Sequence, residues 1–233
     1  MKFVSFIVAA TAAAWALPSA AMPITPTSNV GLLPGFPGVG MGIPNDRVAF
    51  QTFQLDFTND TLTLGIAATG RFDAPQPSDD GNGTYFARTG TQADPMNPSS
   101  LGAKWNFTTF ARVDDGGDGF DTDLDFFGIT FLYDLDPAFG TDIGDLLSPA
   151  ISLPFGQGVT QAGASQNLLF SFWNVGNVFN PNTPGEYSFV LGSEFGEVAM
   201  NVVVSPIPVP GAAVLFASAV LGAGLMQRRR PSA

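Results

Sequence analysis

The densest chemistry in this 233-residue chain is the stretch DDGGDGFDTDLD, Asp114 to Asp125, which holds six carboxylates. Carboxylates this close repel one another, so such a run is comfortable only in bulk water or around a hard cation that takes oxygen ligands. Laid on the spacing of an EF-hand loop, Asp114, Asp118 and Gly119 fall at positions one, five and six, and Asp125 falls at position twelve. Gly116 at position three offers no side-chain oxygen, and position twelve is Asp where a bidentate Glu is usual. The flanks, Trp105 to Val113 and Phe126 to Tyr133, read as strands, which excludes an EF-hand proper. Asp114, Asp118, Asp121, Asp123 and Asp125 are therefore candidate ligands of a looser calcium loop on a β scaffold. A solvated acidic turn, reversed at its glycines, is the alternative.

The remaining residues with chemical potential are sparser. Two acidic pairs, Asp121 with Asp123 and Glu194 with Glu197, have the residue types of a glycan hydrolase, but nothing around them marks an enclosed cleft. Trp105, Trp173, Tyr85, Tyr133 and Tyr187 could stack on a sugar, although aromatics within strands more often fill a core. Asp79-Asp80-Gly81-Asn82-Gly83 reads as a hairpin turn. The chain has no cysteine and no histidine, which removes disulfides, thiolate metal sites and His-based catalytic triads, and argues against zinc. Calcium is the one cofactor for which the sequence offers ligands.

The elements that must position these groups follow from composition and period. Hydrophobic residues make up 45% of the chain and charged ones only 12%, with 27 Gly, 19 Pro and 22 Phe, a profile of many turns and short strands. In TLTLGIAAT, Leu62, Leu64, Ile66 and Ala68 alternate with smaller residues, as in a strand with one buried face. The strand before it carries Phe53, Leu55 and Phe57, and Asn59-Asp60 supplies a tight turn between the two. Further strands are expected at Thr84 to Arg88, Trp105 to Val113, Phe126 to Tyr133, Leu168 to Val175, Tyr187 to Leu191 and Val198 to Val204. DFFGITFLYD is apolar on both faces, which predicts a central strand. No amphipathic helix appears outside the termini. These features predict an all-β, two-sheet antiparallel sandwich of jelly-roll-like connectivity over residues 47–205.

The termini read as export and membrane signals. Lys2, the apolar Phe3 to Leu17 and Ser19-Ala20-Ala21 give residues 1–21 the form of a signal peptide cleaved after Ala21. Residues 22–46 are rich in Pro and Gly and predict an extended arm over the domain surface. Between these ends and the tail only Arg47, Arg71, Arg88, Lys104 and Arg112 are basic, against 20 acidic residues, a balance of −15 that argues against nucleic acid and anionic lipid as partners of the domain. Residues 206–233 hold Pro206, Pro208 and Pro210, an uncharged apolar run from Gly211 to Met226, and Arg228, Arg229 and Arg230. The run is long enough to reach across a bilayer as a helix, with the arginines as a cytoplasmic stop. The prolines keep the preceding segment extended and free of backbone pairing.

This tail resembles the PEP-CTERM family of bacterial sorting signals, in its VPLPA-type variant. The likeness lies in Ile207-Pro208-Val209-Pro210-Gly211, the apolar Ala212 to Met226 and the Arg228 to Arg230 stop, and covers about the last 28 residues. No Glu lies between the prolines, and Ile, Val and Gly stand where the variant has Val, Leu and Ala. The resemblance implies a membrane-embedded exosortase as processing partner, with a link to exopolysaccharide and biofilm in a Gram-negative bacterium. It implies a chain exported through the inner membrane, held there transiently by its C-terminal helix, and delivered to the cell surface or extracellular matrix. The expected function is a non-enzymatic envelope or matrix protein. A calcium-dependent, lectin-like carbohydrate-binding module and a carboxylate-dependent glycan hydrolase are the rival readings.

Overall fold

The computed structural model describes residues 24–36, 45–55, 59–114, 116, 123–140, 146, 159–174 and 179–206. Among them the chain is all-β. Its strands are β1 (Val30–Gly31), β2 (Val48–Gln54), β3 (Thr61–Gly70), β4 (Ser78–Asp79), β5 (Thr84–Arg88), β6 (Thr91–Ala93), β7 (Leu101–Ala103), β8 (Trp105–Asp114), β9 (Thr130–Tyr133), β10 (Gln161–Gln166), β11 (Gly185–Ser193) and β12 (Gly196–Ser205). One five-stranded sheet runs β1-β2-β3-β8-β10 and a second runs β4-β5-β12-β11-β9, while β6 and β7 form a separate hairpin. The inner faces of the two large sheets share one apolar core.

That core is aromatic. The Phe107 ring stacks on Phe131 at 5.1 Å and on Phe189 at 5.3 Å, and meets Trp173 edge-on at 5.0 Å. Trp105 adds edge contacts to Phe189 and Phe179. Each of these rings removes a large apolar area from water, and the offset and edge geometries contribute about 0.5–1.5 kcal/mol per pair beyond that burial. Tyr85, on β5 of the second sheet, latches the sheets together: its hydroxyl donates to the Arg47 carbonyl at 2.8 Å and accepts from the Ala49 amide at 3.0 Å.

The first sheet is covered on its outer face as well. The arm enters by bonding Thr27 to Ala199 of β12, pairs Val30–Gly31 with β2, and then lays Leu33 and Phe36 over Gly65 and Phe110. Any Cβ at position 65 would lie 2.6 Å from the Leu33 side chain, so only glycine admits the arm. Of the Pro/Gly-rich stretch 22–46, residues 24–36 thus contribute a strand and two core residues.

Several expectations are corrected. β5 pairs with β12 in parallel, so the second sheet is mixed, and the hairpins β2–β3 and β11–β12 each lie within one sheet. The parallel pairing sets this connectivity apart from the wholly antiparallel jelly roll. DFFGITFLYD is not a central strand. Gly128, in the left-handed region at φ 54°, splits it into a 3-10 turn (Leu124–Phe127) and β9, which among the described residues pairs only with β11, at the sheet edge. Leu168 to Asn174 is a chain of tight turns instead of a strand, because the buried Asn167 and successive turn bonds fold it around Trp173. The strand beside it, β10, has the weakly apolar sequence QAGASQ. The β2–β3 connection spans six residues, since Gln54 pairs with Thr61 and the Leu55 amide bonds the Asp60 carbonyl. The signal peptide with Ala21, the motif Pro208 to Gly211 and the Arg228 to Arg230 stop lie outside the described residues, as do Asp118 and Asp121.

Candidate functional site

The two ends of the sandwich differ in what their side chains can do. Strand register fixes which residues share an end. Gly196, at the start of β12, lies against Phe53 of β2, so the β11–β12 turn, the β2–β3 connection and the end of β8 sit together. This acidic end holds Asp114, Asp60, Glu194 and Glu197. At the opposite end a ladder of backbone bonds joins Thr89 to the Ser205 carbonyl, Gly90 to Pro181, Lys104 to Gly90 and Arg71 to Lys104.

At the acidic end the first candidate ligand is already engaged. One Asp114 carboxylate oxygen accepts from Arg112 Nε at 2.8 Å and from Arg112 Nη2 at 2.8 Å. Asp123 precedes the 3-10 turn at its N-terminus, half-buried. The backbone of Asp125 lies within that turn. A residue that the sequence suggested only as a turn former proves central: Asp60 is buried at 3% exposure, and its Oδ1 accepts from the Gly116 amide at 2.9 Å. This bond ties the β2–β3 connection to the start of the acidic stretch. Among the described residues no group of three or more acidic side chains converges in a way that could hold a metal ion. Asp121, and with it the Asp121–Asp123 pair, has no described geometry, whereas Glu194 and Glu197 are both exposed at the β11–β12 turn.

The aromatics of the imagined sugar platform are core. Trp105, Trp173, Tyr85, Tyr133 and Tyr187 are each at most 2% exposed, so no sugar ring can reach their faces. Burial pushes the Tyr85 and Tyr133 phenols upward. Tyr187 is pushed up to about 12 by burial and then by the charges of Asp134 and Asp136. The Asp79 to Gly83 stretch is the hairpin turn expected of it: Asp80 Oδ1 accepts from the Asn82 amide at 2.7 Å and the Thr84 amide at 3.1 Å. Burial acts to raise the Asp80 carboxyl, but these bonds outweigh it and hold it below its ordinary value.

The opposite end carries features that the strand pattern did not predict. Arg71 is 5% exposed, with its guanidinium 4.7 Å from the Phe72 ring centre and 5.5 Å from that of Phe170. Its Nε has no hydrogen-bond partner, and burial lowers its pKa against the opposing pull of Asp94. Phe72 sits at φ 50°, an outlier for a bulky side chain, and is 48% exposed. Nearby, buried Asn167 accepts from the Ala103 amide at 2.9 Å and donates to the Ala103, Trp105 and Asn106 oxygens. Such strain and desolvation mark a surface held in place by its surroundings.

Cavities add little. One of about 170 Å³, lined by Arg47, Ala67, Thr69, Gln76 and Pro77, is smaller than usual small-molecule sites. Another of about 320 Å³ is a shallow groove between the arm and β12 in which Glu197 is the one acidic group. Among the described residues no helix is long and apolar enough to cross a membrane. No protein-family model, no curated protein and no solved structure matches this chain.

Proposed function

We propose that the chain is an exported, surface-sorted, non-enzymatic β-sandwich of the cell envelope or extracellular matrix, processed by an exosortase-type membrane enzyme. The observation that carries this reading is the succession of proline motif, uncharged apolar run and arginine stop in residues 206–233. The apolar run holds the exported chain in the inner membrane, and the arginines keep its C-terminus inside. Pro208 and Pro210 present an extended backbone, without internal hydrogen bonds, to a processing enzyme. The fold is consistent with this order, because β12 ends at Ser205, immediately before the proline segment. Exopolysaccharide is the matrix partner of this reading.

Intact mass spectrometry of the surface-exposed protein in its own host tests it. A C-terminus near Pro208 to Gly211, lost when Pro208 and Pro210 are both replaced by Ala, is the expected result. A chain still ending in Ala233, indifferent to the proline changes, overturns the sorting reading and leaves a plain anchor.

A further inference from the structure

Among the described residues seven large apolar side chains are substantially exposed, and they are not spread evenly. Phe72 (48%), Met96 (92%), Leu101 (54%), Phe139 (73%) and Phe172 (37%) all belong to the end that the backbone ladder assigns to Ser205. Phe72 follows Arg71 at that ladder. Leu101 and Met96 belong to the β6–β7 hairpin, a separate two-stranded unit between β5 and β8 that packs its Gly102 against Arg71 and carries Met96 in its connecting loop. Phe172 packs against Phe170, which covers Arg71. Phe139 follows Pro137, whose carbonyl accepts from Glu186 beside the start of β11, opposite Val203 and Val204.

One further observation says what covers this end: β12 ends there at Ser205, and residues 207–233, with their uncharged run, follow. Its charges are of both signs, with Arg88 and Lys104 beside Asp73, Asp94, Asp136 and Glu186 and with Arg71 buried, so a zwitterionic surface suits it better than an anionic one. Exposed apolar groups among mixed charges, at the root of a membrane-spanning segment, have the composition of a surface that settles into the headgroup boundary of a bilayer. Aromatic rings suit that layer, and the Lys104 stem can lie along it with its ammonium in water.

We propose that this end of the sandwich docks on the lipid bilayer, so that before processing the domain stands on the membrane by its Phe72–Met96–Leu101 face with the acidic end turned away. The inference rests on the reading of residues 211–226 as the membrane segment. Docking also brings Pro206, the last described residue, to the bilayer surface, within reach of a membrane-embedded enzyme that acts on the residues after it.

The chain has no cysteine, so one introduced cysteine gives a unique label site. The full chain is reconstituted into vesicles of phosphatidylcholine and phosphatidylethanolamine containing lipid-borne quencher, with a polarity-sensitive fluorophore at Met96→Cys, Phe139→Cys, Glu194→Cys or Ala217→Cys. Docking predicts several-fold stronger lipid quenching at positions 96 and 139 than at 194, together with strong quenching at 217. Using two probes at the apolar end guards against the loss of Met96 itself weakening the contact. Quenching at 217 alone overturns the docking and spares the membrane segment. Absence of quenching at 217 overturns both. Shielding of 96 and 139 that grows with protein-to-lipid ratio but is blind to lipid quencher assigns the face to a second copy of the chain, and also overturns the proposal.

Discussion

At one end of the sandwich Glu194 and Glu197 flank a tight turn beside Asp114 and the buried Asp60; at the other, Phe72 and Leu101 stand exposed around Arg71 and Asn167. Both ends face the same problem, that strands stop there and leave backbone groups to be satisfied. The acidic end solves it with carboxylates: Asp60 captures the Gly116 amide, and Arg112 neutralises Asp114. The apolar end solves it with an amide, Asn167, and with rings packed over a guanidinium. The first solution leaves a surface that water wets well. The second leaves one that is better covered.

Breaking Asn167 tests this contrast most severely. Asn167→Ala strands the Ala103 and Leu169 amides and two buried carbonyls. At about 1–3 kcal/mol for each buried orphan, partly relieved by rearrangement, the expected loss is about 3 kcal/mol or more in urea unfolding. Asp60→Ala, its counterpart at the acidic end, releases Gly116 and should cost about 1–3 kcal/mol, less because water reaches the exposed Gly116. If Asp60→Ala proves the more damaging, the acidic end carries the framework and the contrast is reversed.

Arg71→Met should change stability by no more than about 1 kcal/mol in either direction, because it removes a desolvated cation with an unpartnered Nε and keeps the packing against Phe170. A large loss would mean that the charge, and not the stem, supports the apolar end.

The pH dependence sharpens the picture with smaller effects. The raised phenols of Tyr85, Tyr133 and Tyr187 favour the neutral form in the fold, so their contribution is complete below their ordinary value of 10. For Tyr187 it is lost as pH rises from there to about 12, and tyrosinate absorbance should appear together with unfolding. The depressed carboxyl of the exposed Asp80 acts in the other direction: its contribution is present above the ordinary value of 3.8 and fades as pH falls below it. Screening makes this the smallest effect, visible as a slight difference between Asp80→Asn and the parent chain in acid unfolding.

How much of this was legible before folding depends on whether a residue's role is local. TLTLGIAAT and the strands at Thr84 to Arg88, Trp105 to Val113, Tyr187 to Leu191 and Val198 to Val204 declare themselves by alternation, since a two-residue period follows from the pleat alone. The DDGNG turn does so too, because its bonds run between residues two to four apart. Composition likewise determined the all-β class, and removed cysteine and histidine chemistry outright. Only the tertiary structure decided that β5 runs parallel to β12, that DFFGITFLYD ends at an edge and that Leu168 to Asn174 turns around Trp173. Each depends on partners far along the chain, and an apolar run reads the same whether it pairs, turns or plugs a core. The same holds for the ends. Asp60 becomes a buried clamp only when Gly116 arrives from 56 residues away, and Phe72, Leu101 and Phe139 come to the same end only because strand pairing brings their loops there.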